Sequence, residues 1–159
     1  MSFRIGFGID FHQLQEGRPL WLGGVEIPHT KGSLGHSDAD VLLHAICDSL
    51  LGALALGDIG IHFPNTDAAY KDIDSKILLS RTYEMIRERN YQVVNLDSTI
   101  CLENPKIKKY SPEMRTIIAR ILETAEENIS IKATTTEQMG FVGREEGLVA
   151  YATVLLQKI

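Results

Sequence analysis

From Arg4 to His12 apolar and polar residues alternate strictly. Ile5, Phe7, Ile9 and Phe11 fall on one side, and Gly6, Gly8, Asp10 and His12 on the other. A period of two over nine residues predicts a strand with one apolar face. The next stretch is rich in glycine (Gly17, Gly23, Gly24, Gly32, Gly35) and contains one short apolar piece, Leu20 to Ile27. It reads as loops and short strands, with that piece folded as a small hairpin.

The period then changes to that of a helix. Ser37-Asp38-Ala39-Asp40 supplies an N-cap candidate, Ser37, followed by acids in the first turn, and the pattern runs to about Leu54 before Gly57 and Asp58 end it. Leu42, Leu43, Ile46, Leu50 and Leu54 form its apolar stripe, whereas Asp40, His44 and Asp48, spaced by four, form another. His44 is therefore expected outside the core. Residues 58–74 read as a long loop, longer than a plain connector needs. A helix is expected from Ser75 to about Arg89, a strand from Tyr91 to Leu102, and a helix started by Ser111-Pro112-Glu113 that ends near Glu126. Strands at Asn128 to Ala133 and Leu148 to Leu156 flank a polar, glycine-containing segment. Alternating strands and helices predict an α+β (α/β) fold: a mixed β-sheet of about four strands, covered by helices on one face. At 159 residues the chain suits a single domain, residues 1–159, with no repeat or linker in the pattern.

Composition changes this picture little, since 44% apolar and 23% charged residues are ordinary for a folded domain. A formal charge of −5 with scattered Lys and Arg gives no reason to expect a nucleic acid partner. The chain enters a strand pattern at once and holds no apolar run of membrane length, so no export signal and no membrane partner are expected. Cys47 and Cys101 lack paired spacing and are expected as buried free thiols in a reducing cytoplasm.

Two clusters carry candidate chemistry. Asp10 and His12 leave the same face of one strand, and His44 would come from the helix. One carboxylate and two imidazoles suit Zn²⁺ with a fourth position open to water or substrate, which is a catalytic arrangement. Its rival is a closed structural site in which Cys47, three residues after His44, supplies the fourth ligand. Gly6 and Gly8 on the same face would let another element approach closely, or mark a bulge. The second cluster is Lys132-Ala133-Thr134-Thr135-Thr136-Glu137 with Gly140 and Gly143 behind it. Its hydroxyls and amides could cradle phosphate while Glu137 offers an oxygen to a hard cation such as Mg²⁺. Equally, Thr134-x-x-Glu137 could be a capping box. Arg144 could pair with phosphate or with the adjacent Glu145 or Glu146.

Asp10-Phe11-His12, Gly35 through His44, Gly57-Asp58-Ile59-Gly60, Phe63-Pro64-Asn65-Thr66-Asp67 and Lys132 through Glu137 together resemble one family, the 2-C-methyl-D-erythritol 2,4-cyclodiphosphate synthases. The resemblance runs from Arg4 to near the C-terminus, with the motifs in family order and spacing. It implies a cyclising lyase of non-mevalonate isoprenoid synthesis that converts 4-diphosphocytidyl-2-C-methyl-D-erythritol 2-phosphate to the 2,4-cyclodiphosphate and releases CMP. It implies Zn²⁺ on Asp10, His12 and His44, Mg²⁺ or Mn²⁺ on Glu137, and a cytoplasmic homotrimer with active sites between subunits. By the same resemblance the methylerythritol phosphate end falls on His36, Ser37 and Asp58, Ile59 and Gly60. The substrate site also takes in Asp10, Phe11, His12, Phe63, Pro64, Asn65, Thr66 and Asp67. The cytidine pocket falls on Leu102, Glu103, Asn104, Pro105, Lys106, Ile107 and Lys108 with Thr134, Thr135, Thr136 and Glu137, and the remaining positions on Phe141 and Arg144. His36 and Thr135 are the candidates for stabilising the transferred phosphoryl group. Asn65 departs from the family's usual Asp at that position.

Overall fold

A computed structural model describes residues 2–159. The alternating N-terminal segment is strand β1, Phe3–Glu16, and β2 (Leu20–Leu22) with β3 (Val25–Ile27) forms the expected hairpin. A strand not expected from the sequence, β4 (Lys31–Leu34), lies in the glycine-rich stretch and pairs antiparallel with the end of β1, Gln13 opposite Leu34. Helices α1 (Val41–Ala53), α2 (Ile59–His62) and α3 (Ser75–Arg87) follow, then β5 (Tyr91–Cys101), α4 (Ser111–Ile121), β6 (Ile129–Thr134), α5 (Gly140–Gly143) and β7 (Gly147–Lys158).

The sheet has five strands rather than about four, in the order β4-β1-β7-β5-β6. It is mixed. β7 pairs antiparallel with both β1 and β5, while β5 and β6 run parallel, as their connection through α4 requires. β4 escaped the sequence pattern because Lys-Gly-Ser-Leu is too short and too polar to show a period. The segment expected as one long loop holds α2 and a 3-10 turn at Ala68–Tyr70, each started by an aspartate, Asp58 and Asp67.

Helix α1 lies across β1 and β7, and α3 packs on α1. The close approach follows from Gly6 and Gly8. A Cβ at Gly8 would stand 2.0 Å from the Ala45 carbonyl oxygen, and one at Gly6 1.8 Å from that of Ser49. The helix is buried on nearly every side, so its polar positions are not a solvent stripe. Asp40 in particular is fully buried and is the true N-cap, accepting the Leu43 amide at 3.1 Å. Ser37, expected as the cap, instead accepts the Ala39 amide in the turn before it.

On the other side of β1, Ile5 is 72% exposed, and Phe3, Phe7 and Phe11 are also exposed. Helices thus cover one face only, as the pattern predicts. Cys47 is buried, but Cys101 is only half-buried. Among the described residues no helix is long and apolar enough to cross a membrane.

Candidate active site

Because the pleat sends Asp10 and His12 toward α1, they meet His44 there. One donor atom from each of the three lies within 4.8 Å of the other two, and among the described residues this is the one His/Cys/Asp/Glu group so arranged. Asp10 Oδ2 is 2.9 Å from His12 Nδ1 and 3.1 Å from His44 Nδ1. The first approach lacks hydrogen-bond geometry, so His12 Nδ1 is buried without a partner. A buried orphan is costly unless something else satisfies it, and a cation shared with the two neighbouring donors would do so. The residues present therefore fit a three-ligand divalent metal site.

The electrostatics agree. Burial alone would raise the Asp10 carboxyl, but the close imidazoles of His12 and His44, through their charge and the His44 hydrogen bond, outweigh it and hold the group below its ordinary value. Burial would lower the His44 imidazole, and Asp10 outweighs it in the opposite direction, so His44 sits above its ordinary value. The rival fourth ligand stands apart from this group. Cys47 is not in the donor group but packs in the hydrophobic core, where burial pushes its thiol up to about 12.

A cavity of about 480 Å³ opens on His12 and His44. His36 and Ser37 line it from the turn before α1, Ile59 and Gly60 from α2, and Phe63, Pro64, Asn65 and Thr66 from the segment after it. Tyr70, Ile73 and Leu78 complete the wall and were not anticipated, because nothing in their local pattern separates them from ordinary loop and helix residues. Phe63 stands edge-on to Tyr70 with ring centroids 5.6 Å apart. Asp58 and Asp67 are occupied as caps, accepting the Ile61 and Ala69 amides. Asp48 fixes the α2 wall by accepting the Ile59 amide at 2.8 Å.

The second cluster lines a different, smaller cavity of about 200 Å³, formed by Leu102, Pro105, Lys106, Ile107, Lys108, Ala133, Thr134 and Thr135. Glu137 borders neither cavity and is outside the metal-donor group. Its carboxylate accepts the Thr135 hydroxyl at 3.2 Å. No capping box forms. Glu137 and Gln138 take positive φ values of 53° and 64°, and the next helix starts only at Gly140. Thr136 donates to the Met139 carbonyl at 2.6 Å. Glu103 braces this turn by accepting the Thr136 and Gln138 amides at 2.9 and 3.2 Å. Asn104 donates to Glu145 on the surface. Phe141 packs against Phe11, centroids 6.2 Å apart, and Arg144 forms a two-pronged pair with Glu146.

Residues 3–157 match the model of the YgbB family. The chain belongs to that family. As a YgbB-family protein it is 60% identical over 158 residues to the 2-C-methyl-D-erythritol 2,4-cyclodiphosphate synthase of Bacteroides thetaiotaomicron, covering 99% of each chain. A solved 2C-methyl-D-erythritol-2,4-cyclodiphosphate synthase superposes on it with TM-score 0.90 at 36% identity, covering 97% of this chain and 100% of that one. The CDP-bound form of such a synthase gives TM-score 0.90 at 34% identity, with the same coverage.

Proposed function

We propose that this YgbB-family chain is a metal-dependent cyclase that converts 4-diphosphocytidyl-2-C-methyl-D-erythritol 2-phosphate to 2-C-methyl-D-erythritol 2,4-cyclodiphosphate and CMP in the cytoplasm. The observation that carries the reading is the Asp10–His12–His44 donor group, two of whose members, His12 and His44, line an open cavity. The near-full-length likeness to named synthases supplies the substrate.

Asp10, His12 and His44 would hold Zn²⁺, and Glu137 would contribute one oxygen to Mg²⁺ or Mn²⁺. Such cations supply Lewis-acid stabilisation of charge on the diphosphate. The reaction is an in-line displacement at the β-phosphorus. An oxygen of the 2-phosphate forms the new P–O bond, and the bond to CMP breaks with its electron pair leaving on the CMP oxygen. A phosphate monoester is already an anionic nucleophile, which is why the site needs no Ser or Cys nucleophile.

The residues of this chain position and stabilise. His36 and Ser37 face the cavity beside the metal ligands, where they would hold the methylerythritol phosphate end with Asp58, Ile59 and Gly60. Phe63, Pro64, Asn65, Thr66 and Asp67 would screen it from water. Leu102, Pro105, Lys106, Ile107 and Lys108 with Thr134 and Thr135 line the smaller cavity and would receive cytidine there. Glu103, Asn104, Thr136 and Glu137, next to them in the chain, would complete the pocket, with Thr135 donating to the transferred group. Phe141 and Arg144 would border the substrate, Arg144 exchanging Glu146 for phosphate.

A homotrimer with active sites between subunits accounts for two otherwise separate features. The metal cavity and the cytidine cavity of one chain are distinct, and the apolar outer face of β1 is uncovered. Incubating the protein with the substrate and Mg²⁺, with and without chelator, tests the reading by phosphorus resonances and CMP release. Chelator-sensitive CMP with a cyclic diphosphate is expected, and shows that Asn65 is tolerated. Linear products or inorganic phosphate would make water the acceptor and the chain a hydrolase.

A further inference from the structure

His44 is used at both of its nitrogens. Nδ1 faces Asp10 Oδ2 at 3.1 Å, and Nε2 faces the Ser75 hydroxyl at 2.9 Å. Ser75 is the first residue of α3 and is completely buried. Its hydroxyl donates to Asp38 Oδ1 in a short hydrogen bond, and its amide donates to Asp38 Oδ2 at 2.9 Å. Asp38 Oδ1 also accepts the Asp40 amide at 3.2 Å.

The direction of these bonds is fixed by donor arithmetic. An ionised carboxylate only accepts, and a hydroxyl has a single hydrogen. The Ser75 hydrogen is committed to Asp38, so toward His44 its oxygen can only accept. Nε2 must then carry a proton, and in the neutral ring Nδ1 is left with its lone pair. That lone pair points to the side where Asp10 and His12 bring their own donors. The Ser37 hydroxyl, 3.3 Å from Nε2, is the weaker neighbour and is itself engaged by the Ala39 amide.

We propose that Asp38 and Ser75 are positioning residues for the metal site: they set the His44 tautomer and ring orientation so that Nδ1 is the ligating nitrogen. The proposal rests on the reading of Asp10, His12 and His44 as metal ligands. It extends that reading by two residues whose local sequence shows only the start of a helix. The same contacts tie the metal ligand to the cavity wall. The Asp38 amide donates to the Ile73 carbonyl at 3.1 Å, and the Asp72 amide to that of His36 at 2.7 Å, so the segment closing the cavity is stitched to the turn that precedes α1.

Asp38→Asn puts an amide NH₂ where an acceptor stood. With the NH₂ at the Oδ1 position the Ser75 hydroxyl accepts from it and donates toward Nε2, which favours the wrong tautomer; with the NH₂ at the Oδ2 position it meets the Ser75 amide donor and displaces Ser75 from His44. Ser75→Ala removes the acceptor altogether. Both variants should raise the Zn²⁺ dissociation constant, read by chelator competition, roughly 10- to 100-fold, while keeping the wild-type circular dichroism spectrum. The wild-type Zn²⁺-loaded protein gives a second, variant-free readout. Its His44 ring should show, by ¹⁵N-detected NMR, a protonated Nε2 and a metal-bound Nδ1. A metal-bound Nε2, or wild-type Zn²⁺ affinity in both folded variants, overturns the proposal. If wild-type protein binds no Zn²⁺ and His44→Ala changes nothing, the metal reading itself fails and the proposal falls with it.

Discussion

The buried carboxylate of Asp40 accepts the backbone amide of Gly24 at 2.7 Å. With its other oxygen it takes the amides of Gly23 at 3.0 Å and Leu43 at 3.1 Å, so one side chain caps α1 and pins the β2–β3 hairpin to it. Burial raises the Asp40 carboxyl despite these bonds. Asparagine keeps only one acceptor oxygen and turns an NH₂ toward amides that are themselves donors. Asp40→Asn should therefore cost about 3 kcal/mol, the range expected when buried donors are orphaned, and urea denaturation measures it. A loss below about 1 kcal/mol would show that these amides find other partners.

Gly8 sets how near α1 can come to β1. Its missing Cβ would lie 2.0 Å from the Ala45 carbonyl oxygen and 2.7 Å from the Ser49 amide nitrogen, and backbone cannot yield as a flexible side chain can. Gly8→Ala must push the helix outward, and His44 moves with it while Asp10 and His12 stay on the strand. About 3 kcal/mol of destabilisation is expected, with weakened Zn²⁺ binding in whatever folds. Calorimetry together with metal titration distinguishes this from a purely local bulge, which would leave metal affinity intact.

The Asp10–His12–His44 donor group was legible in the sequence because both of its contributing patterns are local. The period of two places Asp10 with His12, and a helical period delivers His44 as a third donor opposite the strand. Gly6 and Gly8 on the same face carried the close approach as one of two open readings. What local patterns cannot carry is the partner of a polar residue. Asp40 read only as a member of the stripe it shares with His44 and Asp48, and its burial went unread because the hairpin that covers it is remote in the chain, its amides 16 and 17 residues away. Asp38 and Ser75 are 37 residues apart, and each alone resembles a helix-start residue. The turn at Glu137 defeated the capping-box reading because positive φ at two successive non-glycine residues has no composition signal.

Cys47 sits one turn beyond His44 yet belongs to the core. Its thiol is pushed up to about 12 by burial, and it stands outside the donor group. Cys47→Ser should retain the full complement of metal, measured by atomic emission on the purified protein. It should lose roughly 1–3 kcal/mol, because a hydroxyl replaces a thiol in an apolar setting. Loss of metal at preserved fold would instead revive the closed four-ligand site.

The charged pair at the site makes metal uptake pH-dependent, with signs fixed by the two shifts. Asp10 is held below its ordinary value, so its contribution to the stability of the metal-free chain is present above about pH 4 and is lost as pH falls through the depressed value. His44 is held above its ordinary value, so its contribution is complete below about pH 6.5 and is lost as pH rises through the raised value. The ion pair is thus strongest near pH 5–6, where the His44 ring carries protons on both nitrogens. A cation arriving at Nδ1 must displace one of them. Titrating Zn²⁺ into metal-free protein at pH 6 in two buffers of different ionisation enthalpy should show about one proton released from His44, with apparent affinity falling as pH falls. Proton release independent of His44, tested with His44→Ala, would mean that the imidazole reaches the metal already neutral and that Asp10 does not hold it charged.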